Sequence, residues 1–238
     1  MNKTAVPLTP DYYFAPGFYI DYWINGILKT FDHTLVATDV RFQKHREMVC
    51  GAILAASNSI AGPRIQTFVG LNDSVHPDLD LAYYVKEKLA SGAEGYVRKH
   101  IYVEHTRCNL AEGEDMLEQI LKKNTPENEG IMVAVHIYGQ GKSEAEKIHA
   151  ALIAQKKVYP AQIVEVASIS KAGSFYVPKD SYGMNLLWPK SGSSIVNLAD
   201  SKAFFRNPDV IQRNFELKTG FEETDLGSFT LLYPDIST

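Results

Sequence analysis

Apolar positions along the middle of this chain switch between a period near two and a period near 3.6, which predicts alternating strands and helices. His33–Val40 is rich in β-branched residues and reads as a strand. Phe42–Ser57 carries Met48, Val49, Ala52, Ile53 and Ala56 at helical spacing, and Asn58 with Gly62-Pro63 stops it. Arg64–Leu71 alternates between turn residues and predicts a strand. Asp78–Ala90 sets Ala82, Val85 and Leu89 on one helical face, with Gly92 placed to end the helix. Gly95–Thr106 alternates again and predicts a long strand. Ala111–Lys123 then returns to helical spacing through Leu117, Ile120 and Leu121, closed by Asn124 and Pro126.

The clearest unit is Gly130–Ile169. Ile131–Tyr138 is a nearly continuous apolar run, as a strand covered on both faces should be. Ser143 and Glu146 have the spacing of a capping box ahead of a helix with Ala145, Ile148, Leu152 and Ile153 on one face. Gln162–Ile169 supplies the next strand, so 130–169 is a βαβ unit with parallel strands. After Ala172, Pro178, Gly183, Pro189, Gly192, Pro208, Gly220, Gly227 and Pro234 interrupt the chain before a long helix can develop. Short strands are expected at 175–177, 194–198, 215–218 and 228–233, with a short helix near 199–205. The expected fold is α/β or α+β, with a mixed sheet of about five to six strands. It divides into an N-terminal aromatic segment with a helix (1–31), an α/β core (32–172), and an extended or β-rich arm (173–238) packed on the core or on a neighbouring subunit.

The aromatic residues change this picture. Of 26 Phe, Tyr and Trp residues, 8 fall in 1–31, 8 in 32–174 and 10 in 175–238. Large aromatic side chains at chain ends need a cover, either the middle of the same chain or another subunit. Tyr12, Tyr13, Phe14, Phe18, Tyr19, Trp23, Phe221, Phe229 and Tyr233 are therefore candidate interface residues of a homo-oligomer or of a contact with a protein partner. With 24 Lys+Arg against 28 Asp+Glu, the net charge of -4 argues against a dedicated nucleic-acid binder. Two cysteines, Cys50 and Cys108, are too few for a disulfide framework. Neither a signal peptide nor an apolar stretch of about 20 residues is recognisable, so a soluble cytoplasmic protein without membrane contact is expected.

Candidate chemistry is sparse. Gly139-Gln140-Gly141-Lys142-Ser143 lies between a strand and a helix, where glycine amides and a helix N-terminus can cradle an anion. A full phosphate loop needs a glycine at the position of His136, so Gly139, Gly141, Lys142 and Ser143 suit at most a single phosphate or carboxylate. His100, His105 and His136 fall on two strands with Glu104 beside them, three nitrogens and a carboxylate for one metal, but the odd spacing of His100 and His105 sends these two to opposite faces. No metal site and no cofactor are expected on that ground. His76-Pro77-Asp78 reads as a helix start with Asp78 as the N-cap. Cys50 reads as a small buried side chain, whereas Cys108, after His105 and Arg107, sits where a thiol pKa can fall. His105 and Cys108 are thus the candidate reactive groups. Arg98, Lys99 and His100 interleaved with Tyr96 and Tyr102 read as a solvated strand face.

With no complete catalytic constellation, the leading expectation is a non-catalytic assembly protein, of the kind that builds a particle or virion, joined through its aromatic ends. The alternative is a small-molecule enzyme or ligand-binding protein, with an anion held at 139–143.

Overall fold

The structure, a computed structural model, describes residues 4–6, 8–60, 66–72, 76–88, 90–92, 94–138, 144–168, 181–197, 210–213 and 229–231. The N-terminal elements are β1 (Thr4–Val6), β2 (Tyr12–Phe14), α1 (Pro16–Asp21), a wide π-type turn over Tyr22–Ile27, α2 (Leu28–Thr30), α3 (His33–Thr38) and α4 (Gln43–Ile60). The body follows with β3 (Gln66–Leu71), β4 (Leu79–Lys88), β5 (Glu94–Asn109), α5 (Met116–Lys123), β6 (Met132–Tyr138), α6 (Ala145–Ile153) and β7 (Gln162–Ser168). The C-terminal strands are β8 (Ser181–Trp188), β9 (Gly192–Asn197), β10 (Val210–Gln212) and β11 (Phe229–Leu231).

Nine of these strands form one mixed sheet in the order β10-β2-β3-β4-β5-β6-β7-β8-β9. β5, β6 and β7 are parallel, and the remaining neighbours are antiparallel. The α/β class and the parallel unit over 130–169 are therefore present. The sheet is larger than the five or six strands expected, because both chain ends add to it. β2 and β10 extend one side, and β8 and β9 extend the other. β1 and β11 pair parallel to each other in a separate two-stranded ribbon.

Two elements differ in kind from the sequence pattern. His33–Val40 is not a strand: α3 occupies most of it, because the Asp32 side chain accepts hydrogen bonds from the amides of Thr34 and Leu35. Asp39 then caps the following 3-10 turn through the Arg41 amide. Local capping outweighs the β preference of Thr34 and Val36. Asp78–Ala90 is not a helix but β4, bonded along its length to β3 on one side and β5 on the other. Leu79 and Leu81 point to one face, Asp80, Ala82 and Tyr84 to the other. The helical spacing is incidental to this alternation. A strand bonded on both sides gains from tertiary pairing what a helix would gain locally. At α6 the N-cap is Glu144, without a side-chain cap bond, and Ser143 lies outside the described residues.

The two faces of the sheet are covered by different helices. α4 lies on one, and its core includes Met48, Val49, Ile53, Val69, Leu79, Leu81, Val103, Ala134 and Val166. α1 and its π-type turn pack behind α4 and bury Tyr19, Trp23 and Ile27 completely. α5 and α6 cover the other face, where Cys108, Ile120, Val135, Ile148, Leu152 and Ile163 form a second cluster. Gly51 permits close approach of α4, since a Cβ there would stand 2.8 Å from Val69 Cγ2 and 2.9 Å from Leu79 Cδ1. That close packing brings the side chain of Cys50 down to the strands.

Candidate functional site

Several buried polar groups gather where β4 begins and β5 passes from pairing with β4 to pairing with β6. α4 begins there with His45, Arg46 and Glu47, all buried at 4–6% exposure, an unusual run for a helix that is otherwise apolar on its inner side. The Arg46 guanidinium donates to the carbonyls of Val36 (2.8 Å) and Asp39 (2.9 Å), which ties the head of α4 to the preceding turn. His45 is fixed by the Tyr19 hydroxyl at 2.7 Å. Glu47 accepts from the Gln43 amide group at 2.9 Å.

One turn further along α4, Cys50 meets two histidines from neighbouring strands. His105 of β5 and His136 of β6 lie on the α4 face, with His105 Nε2 3.3 Å from His136 Nδ1. One donor atom from each of Cys50, His105 and His136 fits within a span of 4.8 Å. Cys50 and His136 are buried and His105 is half-buried. Burial holds the His105 imidazolium down at about 3, with Arg46, Lys123 and Arg107 adding to the effect. Burial also holds His136 well below its ordinary value, with His105 and Arg46 contributing. Both rings are neutral at pH 7. Burial and the nearby Glu47 push the Cys50 thiol far up.

A set of carboxylates flanks this group. Asp78, just before β4, accepts from the His105 amide at 2.8 Å. Glu104, next to His105 but on the opposite face, holds Lys123 Nζ at 2.5 Å and His76 Nδ1 at 2.9 Å. Burial pushes Glu47 up to about 7, and the Asp78 charge adds to it against the pull of Gln43, Arg46 and Lys44. Burial likewise pushes Asp78 up to about 6, with Glu104 adding while the His105 amide, Lys123 and His76 oppose. Two carboxyls that exchange protons near neutrality thus stand beside neutral imidazoles. Such an arrangement is suited to general acid–base work.

The candidates from sequence are distributed unevenly around this edge. His105 is in it. Cys108 is not: three residues on, it faces the α5 side, its thiol donates to the Glu114 carbonyl at 3.7 Å, and burial pushes it up to about 11. The lowered thiol pKa expected from Arg107 is absent because burial and the charges of Glu114, Asp115 and Glu165 dominate. Gly139, Gly141, Lys142 and Ser143 lie outside the described residues, although Tyr138 ends β6 two positions after His136. Tyr13, Phe14, Tyr19 and Trp23 are fully buried within the chain, and Tyr12 and Phe18 are half-buried. Phe221 and Tyr233 are outside the described residues, and Phe229 begins β11.

Sequence reasoning set Glu104 beside His105 and His136 but did not join Glu47, Cys50, Asp78 or Lys123 to them. The one usable signal was the run His45-Arg46-Glu47 at the head of an apolar helix. Strand parity separates His100, which instead bonds Asp80 on the far face at 2.9 Å, and leaves His136 as the partner of His105. Among the described residues no helix is long and apolar enough to cross a membrane. Comparison with protein-family models, with curated proteins and with solved structures finds no match for this chain.

Proposed function

We propose that this chain is a hydrolase for a small phosphorylated molecule, acting where β5 passes from β4 to β6. The observation that carries the reading is the convergence of Glu47, Asp78, Glu104, His105 and His136 from four elements on one edge of the sheet. Two cations flank this point for a phosphorylated substrate: Arg107, two residues beyond His105 on the α4 face, and Lys123, paired with Glu104 on the α5 face. In this reading ionised Asp78 takes the proton of the attacking water. The water oxygen bonds to phosphorus, the ester P–O bond breaks, and protonated Glu47 gives its proton to the leaving oxygen.

A thermal-shift screen of sugar phosphates, nucleotides and other phosphate esters tests for the site. A ligand at 100 times its dissociation constant adds about 2.7 kcal/mol. Turnover of any compound that stabilises the chain is then measured in the parent, Asp78→Asn and Glu47→Gln. Loss of turnover with retained binding in both variants is expected. No stabilisation and no turnover across the panel overturns the reading.

The assembly reading is kept as a second proposal by the pairing of β1 with β11, which joins the two chain ends in a ribbon of two strands. Such a ribbon is marginal alone, so a second copy is the candidate cover for it. Light scattering on the chain with 220–238 removed decides it. An unchanged number of subunits, or a full chain that is already a monomer, ends this proposal.

A further inference from the structure

From Cys50, His105 and His136 we infer a binding site for a zinc-class divalent ion, held by one sulfur and two nitrogens with a fourth position open. The inference stands on the geometry of these three side chains and does not depend on the hydrolase reading.

The separation of the two rings is the first support. At 3.3 Å, His105 Nε2 and His136 Nδ1 are slightly beyond the usual N–H hydrogen-bond range. Two nitrogens bound tetrahedrally at about 2.0–2.1 Å from one ion stand about 3.4 Å apart. The rings also meet edge to face, 5.5 Å between centroids and 70° between planes. A sulfur at about 2.3 Å from the same ion stands about 3.6 Å from each nitrogen, and the span of the three donor atoms is within 4.8 Å. Closing the set therefore needs side-chain adjustments of an ångström or so, not movement of the backbone.

The origin of the three ligands is the second support. They come from α4, β5 and β6, three elements already fixed by packing. His105 and His136 are held by the parallel β5–β6 register, in which Arg107 opposes His136 and His105 opposes Ala134. Cys50 is lowered onto the sheet by the close approach at Gly51. Rigid elements give a site its precision. Half-buried His105 marks the side from which an ion enters. Neutral imidazoles and a thiol that loses its proton on binding form a donor set of borderline softness, which favours zinc over magnesium or calcium. Binding releases the Cys50 proton, and Glu47, one turn away on the same helix, is placed to receive it.

The test uses the full chain, stripped with a chelator and titrated with Co2+ and then Zn2+. The expected result is one ion per chain by mass spectrometry. A cobalt spectrum of tetrahedral intensity with a thiolate-to-metal charge-transfer band should also appear, and Zn2+ should displace it. Cys50→Ser should abolish the charge-transfer band, and His105→Ala or His136→Ala should weaken cobalt binding at least about tenfold, given that even outer-shell partners carry 10–100-fold effects. His149→Ala, on α6 and away from the set, should bind normally. Circular dichroism confirms that each variant is folded. The parent spectrum alone decides the matter if a variant does not fold. A folded parent that binds no cobalt, or binds it without the charge-transfer band, overturns the site. The readout is metal binding, so a negative result in the phosphate-ester assays leaves it unaffected.

Discussion

Replacing Glu47 by Gln should stabilise the protein at alkaline pH and leave it unchanged in acid. Glu47 sits at 6% exposure, and its carboxyl is displaced from 4.5 to about 7. Between those values the folded chain holds a proton that the unfolded chain has released. Stability therefore falls as pH rises through that window, because an acid with a raised folded pKa favours folding only while it is protonated. At about 1.4 kcal/mol per tenfold change in proton affinity, the displacement comes to ~3 kcal/mol above pH 7. Glutamine is nearly isosteric, stays neutral, and can still accept from Gln43, so it removes this cost without opening a cavity. Urea unfolding in EDTA, followed by fluorescence from buried Trp23, should give matching stabilities near pH 4. The gap in favour of the variant should open between about 4.5 and 7 and then level off. For a chain of this length that corresponds to a rise in Tm of roughly 10 °C. A difference that does not vary with pH, or a parent more stable than the variant at pH 8, would show that burial does not hold Glu47 protonated. A gain in stability paired with lost turnover is the usual signature of a residue retained for function.

Two further predictions concern the frame around the site. Gly51→Ala should cost about 1–3 kcal/mol, because the added methyl meets Val69 and Leu79 at under 3 Å and α4 must lift from the sheet. Thermal unfolding measures the loss, and a parent-like Tm would show that α4 is not seated on β3 and β4 as described. Tyr13→Phe should cost about 1.5–3 kcal/mol by removing a hydrogen bond to a buried charge. The Tyr13 hydroxyl donates to fully buried Asp80 at 2.5 Å, beside His100 and the Arg213 guanidinium. Denaturant titration checks it, and a neutral result would mean that His100 and Arg213 satisfy Asp80 without the tyrosine.

The aromatic ends bear on both proposals. Arg213 reaches back to the carbonyls of Pro10 (2.6 Å) and Leu71 (2.5 Å), and β10 pairs with β2. The N-terminal segment is thereby built into the sheet, with Tyr13 and Phe14 in its interior. The hydrophobic drive inferred from their composition is spent inside the chain at these positions, and an interface would have to use other surface.

Periodicity alone was enough for β3, β5, α4, α5 and the β6–α6–β7 unit, because each carries a hydrophobic pattern that only one kind of element can bury. It was not enough for β4. Ala82, Val85 and Leu89 fit a helix as well as Leu79, Leu81 and Tyr83 fit a strand, and only pairing with β3 and β5 breaks the tie. Nor was it enough for α3, where two aspartate caps act through local hydrogen bonds that a hydropathy pattern does not register. At the site, side-chain parity separated His100 from His105 directly from sequence. That Cys50, Asp78 and His136 would surround His105 depended on the order β4-β5-β6 and on how deeply α4 rests on the sheet. Cys50 and His136, 86 positions apart along the chain, become neighbours only through long-range packing, and no spacing rule along a single chain encodes that contact.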